Sequence, residues 1–414
     1  MLTKILTQTD WGYYSLFQNL VLMTSIIAGL SLPSAIVYFS ASAQIDKFKL
    51  LYNFIIFQLV LSVLIVLGFF FVNNYISKDL IKLNIPNFYW IFFLQLSFTM
   101  LNNIIVGLMR GEFMFNKINL LVFLANFVTF GFYVSFYFFD LPSLNLEIIF
   151  YFLIIVSLLQ VFSSLFLFYK NQKEIDSKFV FLRKKEVKTI YKFIIYVYLA
   201  NVLQIFVYKI DTWILFKYFD SNVTGVYALA VTVSQTTWLF ATAVSTILFS
   251  IAAKESIDFS RGILKTYIRL SFLVSMFLGA ALLFFLYFFS DLIFGKEYKE
   301  IIYIIPILLL GIVPFSINVV FAAFAAGLNK NYINMIGSAI SFVMMLVFDF
   351  ILIPHYSYWG ASAATVIAYM SSTFFCLIMM KVVFDVDVKS IFGIKYFYSD
   401  MQKAQTFIMS KMKK

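Results

Sequence analysis

Read for polarity alone, the chain is a succession of apolar runs of about 20 residues, separated by short polar joins. Eleven runs fit this description, at about 14–38, 49–72, 87–109, 118–139, 147–169, 191–218, 225–252, 266–289, 301–323, 332–353 and 360–384. Each is long enough to cross a bilayer as a helix, the form that satisfies its own backbone in hydrocarbon. The predicted fold class is therefore all-α and polytopic. The longest join, Lys170 to Ile190, carries seven basic and three acidic residues. By the positive-inside rule it is cytoplasmic, and working outwards from it orients every other loop. That orientation places 24 of the 31 Lys and Arg inside and six outside, with Lys209 within a run. The bias fixes the topology, with the N-terminus outside.

The runs also repeat. Thr9-Asp10-Trp11-Gly12-Tyr13-Tyr14-Ser15-Leu16 aligns with Asn222-Val223-Thr224-Gly225-Val226-Tyr227-Ala228-Leu229, 213 residues later. Near a similar offset, the turn Phe113 to Asn119 falls on Lys330 to Ile336. Order and direction are kept, as in parallel transporter repeats. The expected organisation is an N-terminal lobe of five helices (1–169), a basic linker (170–190), a C-terminal lobe of six helices (191–384) and a cytoplasmic tail (385–414). The first lobe then lacks a counterpart to helix 191–218. A start codon annotated late, or a naturally shortened chain, would account for it. An apolar run encoded in frame upstream is the check.

Composition changes the picture only by exclusion. The chain is 63% hydrophobic and 12% charged, against about a quarter charged in soluble domains, so a soluble fold is excluded. Net charge +11 is accounted for by the cytoplasmic loops, and a nucleic-acid partner is not implied. One Cys and one His leave no basis for a disulfide or a zinc site. No glycine loop cradles phosphate, and no external loop is large enough for a catalytic carboxylate constellation; the longest, Asn73 to Asn87, holds Asp79 as its one acid. The expectation is no enzyme and no cofactor.

The candidate chemistry sits in run 191–218. Lys209 and Asp211 are charges deep in an apolar segment, costing about 2.5–3.5 kcal/mol each on insertion scales. Asn201, Gln204, Tyr208 and Asp211 share one helical face, with Lys209 about 100° round from Tyr208. One reading is a wet cavity in which Lys209 meets an anionic head group. The other is that both charges pair with neighbours or snorkel outwards and fix packing. Arg110, ending run 87–109, is a candidate entry-side phosphate contact that positive-inside bias explains equally. Asp349 reads as interfacial, with ion coupling as the alternative. Buried amides such as Gln58, Gln95 and Asn102 are expected to be packing contacts. Pro33, Pro306 and Pro314 are expected to kink their helices or loosen their hydrogen bonding. Small residues at Ala228–Ser234, Ala241–Ser245 and Gly360–Ala368 mark close helix contacts.

Asp211 followed by Gly225-x-Tyr227-Ala228-x-Ala230 resembles a helix-pair signature of Wzx-type polysaccharide flippases, in the multidrug/oligosaccharidyl-lipid/polysaccharide (MOP) exporter superfamily. Phe294-Gly295-x-x-Tyr298, Gly327-Leu328-Asn329-Lys330, and Leu352-Ile353-Pro354 before Gly360-Ala361-x-Ala363-Ala364 resemble later landmarks, as Gly12-x-Tyr14 and Gly29-Leu30 resemble earlier ones. The resemblance implies a two-lobed, V-shaped, alternating-access flippase. It would carry an undecaprenyl-diphosphate-linked oligosaccharide, such as an O-antigen unit, across the bacterial inner membrane. It also implies association with membrane lipids and with polysaccharide polymerase and chain-length machinery, and H+ or Na+ as coupling ion. Family members hold the diphosphate with cavity cations, and Lys209 is the match by position. Asn201, Gln204 and Tyr208 would bond sugar or phosphate oxygens, and Asp211 would orient Lys209 or serve coupling. The alternatives are a cation-coupled multidrug exporter of the same superfamily, or a membrane polymerase or glycosyltransferase.

Overall fold

The computed structural model describes residues 8–71, 87–138, 146–172, 180–219, 221–294 and 300–387. All regular structure among them is helical: α1 Gln8–Ala28, α2 Leu32–Ala41, α3 Lys47–Phe71, α4 Phe88–Gly111, α5 Phe115–Phe138, α6 Leu146–Lys170, α7 Lys184–Tyr218, α8 Ser221–Gln235, α9 Leu239–Lys254, α10 Ile257–Phe294, α11 Ile301–Gly327 and α12 Asn331–Phe384. A 3-10 turn, Thr236–Trp238, joins α8 to α9. The tail beyond 387, the Gly295–Tyr298 landmark and most of loop 73–87 lie outside the described residues.

Among these helices nine are long and apolar enough to span a membrane, or ten if α1 and α2, bent by 52°, form one span. This is a multi-pass membrane protein. The bend falls where Leu30 and Ser31 take positive φ and Pro33 restarts the helix, a position proline tolerates because its missing N–H is not needed there. Pro306 and Pro314 lie inside α11. The 54-residue α12 is twice a span in length and breaks at Ser357 (φ 53°, ψ −135°), giving the two expected runs 332–353 and 360–384.

The chain forms two compact units, Met1–Ile194 and Ile195–Lys414, with the boundary inside α7. In the first, α4 is the central helix, with Ile91, Phe92, Leu96, Ile104 and Leu108 fully buried. The expected amide contacts cross-link it, Gln95 Nε2 donating to Ser157 Oγ at 3.0 Å and Ser164 Oγ to Asn102 Oδ1 at 3.1 Å, and a further bond runs from Ser97 Oγ to Ser62 Oγ at 3.0 Å. In the second unit α11 holds the same place, with Ile304, Leu308, Ile312 and Phe324 fully buried. Both central helices end in the same way. Phe113 (φ 59°) and Asn329 (φ 58°) turn the chain, and the following N–H bonds back five residues, Met114 to Met109 O and Lys330 to Ala325 O. The two turns share this backbone geometry, within one residue of the register that the sequence repeat sets. Around each centre the outer helices expose apolar side chains, such as Phe123, Phe127 and Phe130 on α5 and Phe284 and Phe288 on α10, that only hydrocarbon accommodates.

The linker's end is tied down within the first unit. Lys49 Nζ donates to both Glu186 oxygens, at 2.9 and 2.7 Å, and Arg183 N to Glu186 Oε2 at 2.6 Å. The bond from Lys49 holds the Glu186 carboxyl below the usual carboxylate range. Its contribution is therefore present at neutral pH and lost as pH falls through that depressed value. The pair is part-exposed, so its worth stays below about 1 kcal/mol.

Small residues set the closest approaches. A Cβ on Gly311 would lie 2.8 Å from Val366 Cα, and one on Gly107 2.7 Å from Ile36 Cγ2, whereas Gly131 faces open space. Gly311→Leu is expected to cost about 1–3 kcal/mol and lower the unfolding temperature in detergent, with Gly131→Leu near wild type. Equal unfolding temperatures would show that α11 and α12 do not pack this closely.

Candidate functional site

In the second unit, the inward face of α7 presents Gln204, Tyr208 and Asp211, spaced by four and three residues so that they lie one above the other. Asp211 is 2% exposed. Its Oδ2 accepts from the Tyr227 hydroxyl of α8 at 2.6 Å, with Thr365 Oγ1 of α12 at 3.3 Å. The two hydroxyls are 2.9 Å apart. Thr212 N and Oγ1 donate to Oδ1 at 2.7 and 3.2 Å.

A second carboxylate completes the arrangement. Asp349, on the first half of α12, is fully buried, and neither of its oxygens has a donor among the described residues. It lies within electrostatic range of both Asp211 and Tyr227. The interfacial reading of Asp349 is thereby corrected: α12 continues past it to the break at Ser357 and folds back, so the side chain ends inside the unit. Fold-back is tight because Gly360 packs on the Leu352 carbonyl, where a side chain would collide. Two carboxyls buried in apolar surroundings are either protonated or balanced by a bound cation. No group of three or more His, Cys, Asp or Glu that could hold a metal occurs among the described residues. Two carboxylates and two hydroxyls are an all-oxygen set, suited to a proton or a hard cation.

One turn along from these groups lies an aromatic layer. Tyr208, Trp238, Phe315 and Tyr369 meet with centroids 4.5–6.5 Å apart, the closest pair being Phe315 and Tyr369. Gln204 Oε1 accepts from Ser338 Oγ at 3.2 Å. Trp238 ends the 3-10 turn, an interruption of the kind that marks hinges.

The other predicted residues lie elsewhere. Asn201 is exposed on α7. Lys209 is exposed on a different side of α7 from Asp211, on a flank with Phe206, Trp213 and Phe216. Asp211 therefore does not orient Lys209 here; a step of two residues turns a helix by about 200°. Arg110 stands exposed at the end of α4, in the first unit. Tyr227 and Thr365 were missed as site residues, although Tyr227 stands in the Gly225-x-Tyr227 motif. Nothing in the sequence near Thr365 marks it beyond its place after Gly360-Ala361-x-Ala363-Ala364.

The fold is that of the MOP-superfamily transporters. It is similar to an outward-facing multidrug resistance MATE family transporter (14% identity, TM-score 0.74, 90% of this chain and 88% of that one). It is also similar to a MATE in the straight conformation (16%, 0.72, 91% and 88%). A third likeness is to a MOP superfamily transporter from Pyrococcus furiosus described as having a binding pocket of reverse polarity (15%, 0.68, 92% and 88%). No curated protein matches the sequence. The chain belongs to the polysaccharide biosynthesis protein family, whose model matches residues 1–303.

The geometry sets two stability expectations, read by thermal unfolding in detergent. Tyr227→Phe removes a donor to the buried Asp211 carboxylate and lowers stability by about 1–3 kcal/mol. Asp349→Asn removes a buried charge without a partner and leaves stability equal or higher. The reverse order would mean that Asp349 is bonded and Asp211 is not.

Proposed function

We propose that the protein is a cation-coupled flippase that carries a lipid-linked oligosaccharide from the cytoplasmic to the outer leaflet of a bacterial inner membrane. Family membership supports a place in polysaccharide biosynthesis, and the fold supports transport rather than catalysis. The observation that carries the coupling is the buried Asp211–Asp349 pair. A bound proton or Na+ halves the charge of the pair, a second proton removes it, and α7, α8 and α12 hold together through Tyr227 and Thr365. Emptied, two like charges lie within electrostatic range of each other in a low dielectric, and that packing is disfavoured. Cation occupancy thus selects between two packings of the second unit, which is the requirement for coupling.

The topology gives the pair a direction. Going from Asp211 to Tyr208, from Tyr227 to Trp238 and from Thr365 to Tyr369 each leads towards the cytoplasm. The aromatic layer thus screens the carboxylates on their cytoplasmic side. Asp211 is seven residues, about 10 Å, from the outer end of α7 at Tyr218, so the cation enters from outside.

Lys209 is the candidate contact for the diphosphate. A lysine exposed in mid-span is costly against hydrocarbon, so its ammonium needs water or an anion even on a flank that is otherwise apolar. Asn201 offers a neutral polar contact one face round, and Arg110 a cytoplasmic entry-side contact. Carriage is alternating access: a diphosphate moved bare through the bilayer interior would meet the full cost of desolvation.

A second reading is favoured by the carboxylates themselves and by the likeness to multidrug MATE structures. It is a cation-coupled exporter of cationic drugs. Complementation separates the two. In a strain lacking its flippase, wild type restores surface polysaccharide, Asp211→Asn and Asp349→Asn at equal protein level restore less than about a tenth, Lys209→Ala restores little and Lys209→Arg much. Dye efflux without any surface polysaccharide would replace the flippase reading by the exporter. Full display by Lys209→Ala would remove the diphosphate role alone.

A further inference from the structure

Residues 180–192 combine two features that the transport reading leaves unused. One side of the segment is fastened: Asn53 Nδ2 donates to Val180 O at 2.9 Å, Leu182 N to Asn53 Oδ1 at 3.3 Å, and Lys49 clamps Glu186. Ile190 and Phe193 continue this side into the first unit, where Phe193 stacks on Tyr38 at 4.7 Å. The opposite side is open. Val180 (47%), Phe181 (70%), Val187 (49%) and Tyr191 (62%) are exposed, and so are Arg183, Lys184, Lys185, Lys188 and Lys192. None of these five cations forms an ion pair among the described residues.

The arrangement along α7 is ordered. Lys184, Lys188, Lys192 and Lys185 fill an arc of about 100°, with Val187 and Tyr191 directly beside it. Tyr191 opens the apolar span, and Lys188 and Lys184 stand about 5 and 10 Å beyond it along the axis. That is the depth of the head-group layer, with the aromatic ring at its boundary. A solvated charge run would need no apolar partners and no fastening. Here both are present, and cations worth about 1 kcal/mol each against an anionic leaflet are held rigidly at its level.

The geometry points to residues 180–192 as a docking surface for anionic phospholipid of the cytoplasmic leaflet. The apolar side chains enter the acyl boundary, the cations bind the head-group phosphates, and the clamp from Lys49 and Asn53 passes that attachment to α3 of the first unit.

The test uses full-length protein with Cys376→Ala and Val180→Cys, labelled at 180 with a polarity-sensitive fluorophore, in phosphatidylcholine nanodiscs titrated with short-chain phosphatidylglycerol. Emission is expected to shift to the blue saturably, and high salt to reverse it. Replacing Arg183, Lys184, Lys185 and Lys188 by Gln raises the half-maximal concentration at least about tenfold, while Arg at the three lysines keeps it. Unchanged gel-filtration and thermal unfolding of the Gln variant show that it is folded. No shift, or the same titration with the Gln variant, overturns the proposal. A short-chain prenyl diphosphate that shifts the emission as well as phosphatidylglycerol does would overturn it too, assigning the surface to cargo. Because the readout is binding and not transport, its failure leaves the flippase reading standing, and the reverse holds.

Discussion

An anion inside hydrocarbon must find a positive charge, and most of the chemistry of the second unit follows from that requirement. Asp211 and Asp349 are both removed from water, and the hydroxyls of Tyr227 and Thr365 reach only the first of them. Hydrogen bonds to neutral donors soften the cost of a buried carboxylate without cancelling its charge. In a purely structural core such a pair would be replaced with profit by apolar residues. Keeping it makes sense where the counter-charge is a mobile cation whose arrival and departure alter the packing of three helices.

In the proposed mechanism the surroundings of the pair make that alteration matter. Tyr227 and Thr365 tie α8 and α12 to the Asp211 carboxylate, so the helices report its state. One turn away the aromatic layer and the 3-10 turn interrupt what would otherwise be a uniform helix between α8 and α9. In the first unit the corresponding interior holds amides and hydroxyls bonded to one another, with no ionised group in the contacts of Gln95, Ser97 or Asn102. Two units of one plan thus carry different loads: one is cross-linked by neutral bonds, and the other contains the charge.

How much of this was legible in the sequence depends on what each signal measures. Span positions were legible because hydropathy over about 20 residues reports a property of the whole helix. Helix ends in like positions of the two units, at Phe113 and Asn329, share one cap geometry. The face of Gln204, Tyr208 and Asp211 followed from helical spacing. Depth and rotation did not follow. Asp349 looked interfacial because its run seemed to end a few residues later, and only the break at Ser357 and the fold-back at Gly360 show that it is enclosed. Lys209 sits two residues from Asp211 in sequence, yet which side of α7 is covered is decided by tertiary packing, which a single helix cannot reveal.

The central claim, that the Asp211–Asp349 pair exchanges a cation, is open to one direct observation. Infrared difference spectra of the purified protein on adding Na+, or on stepping pH, report the carboxyl and carboxylate bands themselves. The account predicts difference bands in the wild type that are altered in Asp211→Asn and absent in the double Asn variant. Spectra in which neither Na+ nor pH changes any carboxyl band assignable to these two residues would contradict it.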